Sequence, residues 1–151
     1  MSISEGLDDS EVRLHLYNAF LESGRPPTAA ETAKSLGTEP GEIEASYQRL
    51  HDRHAILLRP GTNDVWLAFP LSAIPTAFTV ESGGRGWFGS CVWDALGVLA
   101  MIGADGRVRT TCGDCGEALT LEVSGGELLP VHAVVHYAVP ARHWWDHIGY
   151  T

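Results

Sequence analysis

The sequence predicts an α+β fold, in which three short helices and a β-hairpin precede a mixed α/β core. Helix start and stop signals divide the first 54 residues into three helical segments. Apolar runs at residues 56–58 and 65–69 flank a Pro-Gly turn, which is typical of a β-hairpin. After residue 70, an apolar helix and several short strands alternate with glycine-rich turns. We therefore expect a winged helix-turn-helix-like module over residues 1–70 and an α/β domain that carries the reactive residues over residues 71–151.

The helical segments have recognisable boundaries. Ser10 can cap a first helix that Gly24 ends, and Thr28 with Glu31 forms a capping box for the second helix. Pro40 suits the first turn of a third helix. Three helices followed by a hairpin are typical of winged helix-turn-helix proteins, whose recognition helix reads DNA.

Charge argues against DNA as a partner. The whole chain has a formal net charge of −9. Residues 1–60 contain ten acidic and six basic residues, a net of −4, whereas phosphate binding requires the opposite sign. No apolar run reaches 18 residues, and the N-terminal residues do not resemble a signal peptide. We expect a cytoplasmic protein that binds neither DNA nor a membrane.

The core should contain one buried helix and several strands. A flexible turn at residues 83–86 should lead into a helix over residues 90–101. Strands are predicted over residues 76–80, 107–111, 119–123 and 131–139, and residues 140–148 should form a closing helix or turn.

The predicted core helix carries a thiol and a carboxyl group three residues apart. Helical spacing puts Cys91, Asp94 and Val98 on one face. In an apolar setting, such a pair can bind a soft electrophile and deliver a proton. The alternative is a core cysteine beside a solvated aspartate, since free cysteine is among the most buried residue types.

The three cysteines do not suggest a disulfide framework. Cys112-x-x-Cys115-Gly resembles half of a zinc knuckle, so Cys112 and Cys115 could hold zinc if Cys91 and a histidine completed the set. Alternatively, two thiols are simply tolerated in a glycine-rich turn. Four histidines lie near the C-terminus and are interpreted as polar residues at a core edge or as metal ligands: His132, His136, His143 and His147.

Several segments, in their order along the chain, resemble the alkylmercury lyase (organomercurial lyase) family. The most specific is the Cys91-x-x-Asp94-x-Leu96 motif within residues 87–96. The others are the helix-turn-helix segment, the strands at residues 64–69 and 108–112 with Gly116, and the Val-His-Tyr-Ala-Val-Pro piece at residues 135–140.

The resemblance implies an enzyme that protonates the carbon of a carbon–mercury bond. It assigns Cys91 as the first thiolate and Asp94 as the proton carrier, with a second thiolate labilising the bond. It implies a small organometallic substrate, no required cofactor, and Hg(II) as the bound product. Cellular thiols or a mercuric reductase would accept that product.

This chain departs from the family pattern at one position. The family's second catalytic cysteine precedes the Val-His piece, but residues 131–136 contain no cysteine. Cys112 matches a further family cysteine usually considered structural, and Cys115 is additional. Cys112 or Cys115 is therefore predicted to lie near Cys91 as the second thiolate, which makes all three cysteines candidate metal ligands. Two alternatives remain open: a thiol-based metal or metalloid binder or sensor, and a family member recruited to other cysteine-dependent chemistry.

Overall fold

The computed structural model describes residues 7–150, which form helices and an antiparallel sheet, so the predicted α+β class is confirmed. The helices are α1 (Asp9–Ser23), α2 (Ala29–Leu36), α3 (Pro40–Asp52) and α4 (Val92–Ile102), and two short 3-10 helices follow at Ala141–Asp146 and Ile148–Tyr150. The strands are β1 (Leu57–Leu58), β2 (Val65–Ala68), β3 (Leu71–Ser72), β4 (Phe78–Ser82), β5 (Arg85–Gly89), β6 (Gly106–Thr111), β7 (Ala118–Ser124) and β8 (Glu127–Leu128).

Helices α1 to α3 lie in the three predicted segments. The capping box between Thr28 and Glu31 is formed in both directions. The cap of α1 is Asp8 rather than Ser10, because the Asp8 carboxylate accepts a hydrogen bond from the backbone of Ser10. Apolar side chains from α1 and α3, such as Phe20 and Tyr47, are buried where the helices pack. The assignment of these helices to a winged helix-turn-helix module stays a prediction.

All eight strands belong to one antiparallel sheet, in the order β1-β2-β3-β5-β4-β6-β7-β8. The predicted hairpin is β1 with β2. Strand β2 pairs with β3 through Leu67 and Ser72, and β3 pairs with β5 through Leu71 and Gly89. Hydrogen bonding thus continues across residue 70, where the boundary between two domains was predicted; that boundary stays a prediction.

Helix α4 covers the middle of the sheet. Its buried residues Ala95, Val98 and Leu99 belong to the same apolar core as Val80 of β4 and Val108 of β6. These five side chains are at most 1% exposed, so the helix is fixed in position by close packing.

Gly89 sets how closely β5 approaches the start of α4. A Cβ atom at this position would lie 2.5 Å from the backbone nitrogen of Ala95. No other residue fits there without a shift of the backbone, and this close approach places residues 91–94 directly after the strand.

Two predicted elements differ in the structure. Residues 83–86 were expected to be a flexible turn, but Arg85 and Gly86 begin β5, because Gly83 and Gly84, both with positive φ, alone make the turn that returns the chain along β4. Residues 131–139 were expected to be a strand, yet they are irregular. Their alternating pattern has no neighbouring strand to pair with. None of the helices within residues 7–150 is long and apolar enough to cross a membrane.

Candidate active site

Cys91 is the N-cap residue of α4. Its backbone is extended, with φ −144° and ψ 179°, and its Sγ accepts a hydrogen bond from the backbone N–H of Asp94 at 3.5 Å. The thiol is half-buried. Helix N-termini carry unpaired N–H groups that favour negative charge, so the hydrogen bond from Asp94 partly offsets the effect of burial on the sulfur.

Asp94 lies in the first turn of α4, close to the thiol. Its carboxylate accepts a short hydrogen bond from the hydroxyl of Ser90. Burial raises the pKa of Asp94, although the hydrogen bonds with Ser90 and Cys91 oppose this effect. Burial likewise raises the pKa of Cys91. Burial thus shifts the titration of both groups toward their neutral forms, as an apolar environment does.

Two tyrosines to which the sequence analysis gave no role interact electrostatically with this pair. Burial raises the pKa of Tyr137, and the charges of Cys91 and Asp94 and a hydrogen bond with Cys91 raise it further. Burial also raises the pKa of Tyr17, and the negative charge of Asp94 raises it further. Tyr17 comes from α1 and Tyr137 from the irregular C-terminal segment. The local sequence does not predict that either tyrosine lies near the site, because tertiary packing brings both of them there.

Aromatic contacts hold the C-terminal segment against the first half of the chain. The Trp145 ring stacks on His54 with centroids 3.8 Å apart and meets Phe69 edge-on at 5.8 Å. Trp144 packs against Tyr137 at 5.2 Å. These contacts fix the segment that carries the Tyr137 hydroxyl to the site.

Cys112 and Cys115 lie in the turn between β6 and β7. Gly89 pairs with Phe78, and Thr79 pairs with Arg109. By this register, Gly89 of β5 and Thr110 of β6 flank Phe78 of β4, and Cys91 and Cys112 each come two residues after that row, at the same end of the sheet. With β4 between them, the strands β5 and β6 are separated by two strand spacings, about 10 Å. The prediction that a sulfur of this turn joins Cys91 directly stays a prediction.

The described residues do not provide a zinc site of the predicted kind. Within residues 7–150, no three His, Cys, Asp or Glu side chains come together as a metal-binding group. His132 and His136 are exposed, and the ring of His143 pairs with Asp146 at 3.0 Å. A structural zinc ion needs four ligands, so Cys112 and Cys115 lack the remaining two in this part of the chain.

The fold and the site together define an α+β protein with a half-buried thiol beside a partly buried carboxyl group whose pKa is raised. The sequence model of the MerB alkylmercury lyase family matches residues 71–151, which is just over half of the chain. The chain therefore belongs to the alkylmercury lyase family.

A solved structure supports the fold. The crystal structure of the mercury-bound form of MerB2 matches with a TM-score of 0.63 and 24% sequence identity. The match covers 80% of this chain and 59% of that one, so this chain spans less than two thirds of the length of MerB2. Among curated proteins, none matches the sequence significantly.

Proposed function

We propose that this protein is an organomercurial lyase that cleaves a carbon–mercury bond by protonolysis. The observation that supports this proposal most directly is the juxtaposition of Cys91 and Asp94 at the start of α4, linked by the hydrogen bond from the Asp94 backbone to the sulfur. Membership of the alkylmercury lyase family supports the same reaction class.

The first step is capture of the substrate. The Cys91 sulfur attacks the mercury of an organomercurial R–Hg–X, because a soft thiolate prefers a soft metal. A sulfur–mercury bond forms, X leaves with the bonding electrons, and the thiol proton is released, as it is when metals bind thiols. The raised pKa of Cys91 means that binding mercury, rather than ionisation beforehand, removes this proton.

The second step is proton delivery. Asp94 in its acid form donates its proton to the carbon bound to mercury, and the electron pair of the carbon–mercury bond forms the new C–H bond. R–H leaves, Hg(II) stays on the Cys91 sulfur, and Asp94 is left as a carboxylate. Burial favours the acid form that this step requires. Ser90, hydrogen-bonded to the carboxyl group, orients it.

A second sulfur bound to mercury would weaken the carbon–mercury bond further. Cys112 and Cys115 are the two remaining cysteines, and their turn lies at the same end of the sheet as Cys91. Cellular thiols or a mercuric reductase would remove the product. We place this reaction in the cytoplasm, where the three thiols stay reduced.

The decisive experiment is incubation of the purified protein with phenylmercury and excess thiol, followed by headspace measurement of benzene. The unaltered protein should release benzene, and Cys91→Ser should release none. Asp94→Asn should still bind phenylmercury but cleave it at least about 100-fold more slowly, since a general acid contributes this much. Asp52→Asn, an exposed substitution on α3, is the matched control. If the unaltered protein binds phenylmercury without releasing benzene, the lyase proposal is wrong and a thiol-based metal binder or other cysteine-dependent chemistry takes its place.

A further inference from the structure

The turn between β6 and β7 is a closed structure that brings two cysteines together. The backbone N–H of Cys112 donates to the carbonyl of Glu117 at 2.8 Å, and the N–H of Gly116 donates to the carbonyl of Cys112 at 2.9 Å. Gly116 has φ +74°, a conformation that lets the chain reverse within these five residues. The flanking strands are paired from Thr111 and Ala118 onward, so the base of the turn is fixed.

The two sulfurs of this turn are neighbours and are accessible. The backbone N–H groups of Cys115 and Asp114, followed by the Cys115 side chain, lower the pKa of Cys112. Cys115 is exposed and Cys112 is partly exposed, and both are free thiols. Two accessible thiols held in one closed turn can both reach the same ion, whereas buried structural cysteines are inert.

The number of ligands selects the kind of metal ion. A tetrahedral zinc site requires four ligands, and the described residues offer no group of three or more. Hg(II) is satisfied by two thiolates in a linear arrangement, and thiolates are the preferred ligands of soft ions. Two neighbouring cysteines with no third ligand therefore suit a soft, two-coordinate cation.

We propose that Cys112 and Cys115 together form a chelating dithiol site that accepts Hg(II), the product of the proposed lyase reaction. Two sulfur–mercury bonds form, the ligands previously on mercury leave as thiols or thiolates, and any thiol protons go to those ligands or to solvent. No electrons are transferred. The turn follows β6 at the same end of the sheet as Cys91, which follows β5, so it can receive the ion after release from the reaction site. The source of the Hg(II) in this inference is the proposed lyase reaction. The existence of the dithiol site does not depend on that reaction.

The test uses inorganic Hg(II) and requires no cleavage of a carbon–mercury bond. One equivalent of HgCl₂ is added to the reduced full chain with excess glutathione, and retained mercury per chain is measured after gel filtration. A chelate resists this competition because its second sulfur acts at a high effective concentration. Cys91→Ser should retain one mercury ion per chain, with the ultraviolet absorption of a bis-thiolate complex. Cys112→Ser and Cys115→Ser should each retain none.

Three outcomes distinguish the possibilities. Loss of mercury in both Cys112→Ser and Cys115→Ser, with retention in Cys91→Ser, supports the dithiol site whether or not benzene release is observed. Loss in Cys91→Ser and in one turn variant, with retention in the other, would overturn the proposal and identify a bridge between Cys91 and that turn cysteine. Loss of mercury from the unaltered protein under glutathione would also overturn it. Thermal unfolding of each variant confirms that the serine substitutions preserve the fold.

Discussion

The backbone N–H of Asp94 donates to the sulfur of Cys91, so the residue that carries the candidate proton also orients the candidate nucleophile. Cys91 caps α4 and Asp94 lies in its first turn, and burial raises the pKa of each side chain. The start of one helix thus holds the thiol and the carboxyl group that the proposed protonolysis would use.

The raised pKa of Asp94 predicts a dependence of stability on pH. Because the folded protein holds this proton more tightly than the unfolded chain, Asp94 stabilises the fold fully below its unfolded pKa of about 4. This contribution is lost as the pH rises through the raised pKa of the folded state. The free energy of unfolding of Asp94→Asn should therefore rise relative to that of the unaltered protein as the pH increases above about 4, through the raised pKa of the folded state. Denaturant unfolding at several pH values measures the difference; a constant difference would contradict the prediction.

The close approach at Gly89 predicts a sensitive position for both stability and catalysis. Gly89→Ala would place a Cβ 2.5 Å from the backbone nitrogen of Ala95, and overpacking of this kind costs about 1–3 kcal/mol. The start of α4 must move, so benzene release should fall as well. Gly41→Ala, in α3, has no atom within 4 Å of the added Cβ and should be neutral or slightly stabilising. Equal melting temperatures for the two variants would contradict the prediction.

Tyr137 is expected to influence the reactivity of Cys91. Tyr137→Phe keeps the ring that packs on Trp144 but removes the hydroxyl that interacts with the sulfur. Loss of one donor to a thiolate should slow alkylation of Cys91 by iodoacetamide about tenfold or more near neutral pH, since hydrogen bonds to charged groups contribute about 1.5–3 kcal/mol. The pH profile of alkylation should move to higher pH.

This measurement is made with Cys112 and Cys115 both replaced by serine, so that Cys91 is the reacting thiol. An unchanged alkylation profile in Tyr137→Phe would show that the hydroxyl does not act on the sulfur. A fall in melting temperature without a change in the profile would indicate a structural role alone.

The helical segment is expected not to bind DNA specifically. Two arginines of the third helical region are engaged by one carboxylate, since Asp9 pairs with Arg49 at 2.6 Å and with Arg53 at 3.5 Å. At physiological salt, a gel-shift assay should show no sequence-selective complex at nanomolar concentration. Asp9→Asn frees both arginines and should give at most weak, salt-sensitive binding. A nanomolar, selective shift by the unaltered protein would instead favour the sensor hypothesis.

Local signals in the sequence were sufficient for most helices but not for every strand. The capping box of Thr28 and Glu31 and the spacing of Cys91 and Asp94 depend on neighbours within one turn, so both could be predicted. Residues 85–89 form a strand because β4 lies beside them, and residues 131–139 do not because no strand does. Alternation of apolar and polar residues indicates a preference for the extended conformation, but a strand forms only where a neighbouring strand can pair with it.

The same distinction applies to the candidate site. Cys91 and Asp94 could be found from a short motif, whereas Tyr17 and Tyr137 are 77 and 43 residues away from Asp94 along the chain. Their approach depends on how α1 and the C-terminal segment pack. The stacking of Trp145 on His54, which secures that segment, has no sequence signature either.

The continuous sheet has a consequence for how this protein can evolve. Since β2 pairs with β3 and β3 pairs with β5, the helical segment shares backbone hydrogen bonds with the strand that leads to Cys91. Recombination that replaced the first part of the gene with another helical module would have to supply a matching strand edge and a new partner for Trp145. The two halves are therefore expected to be inherited together, even if the surface of the helices changes.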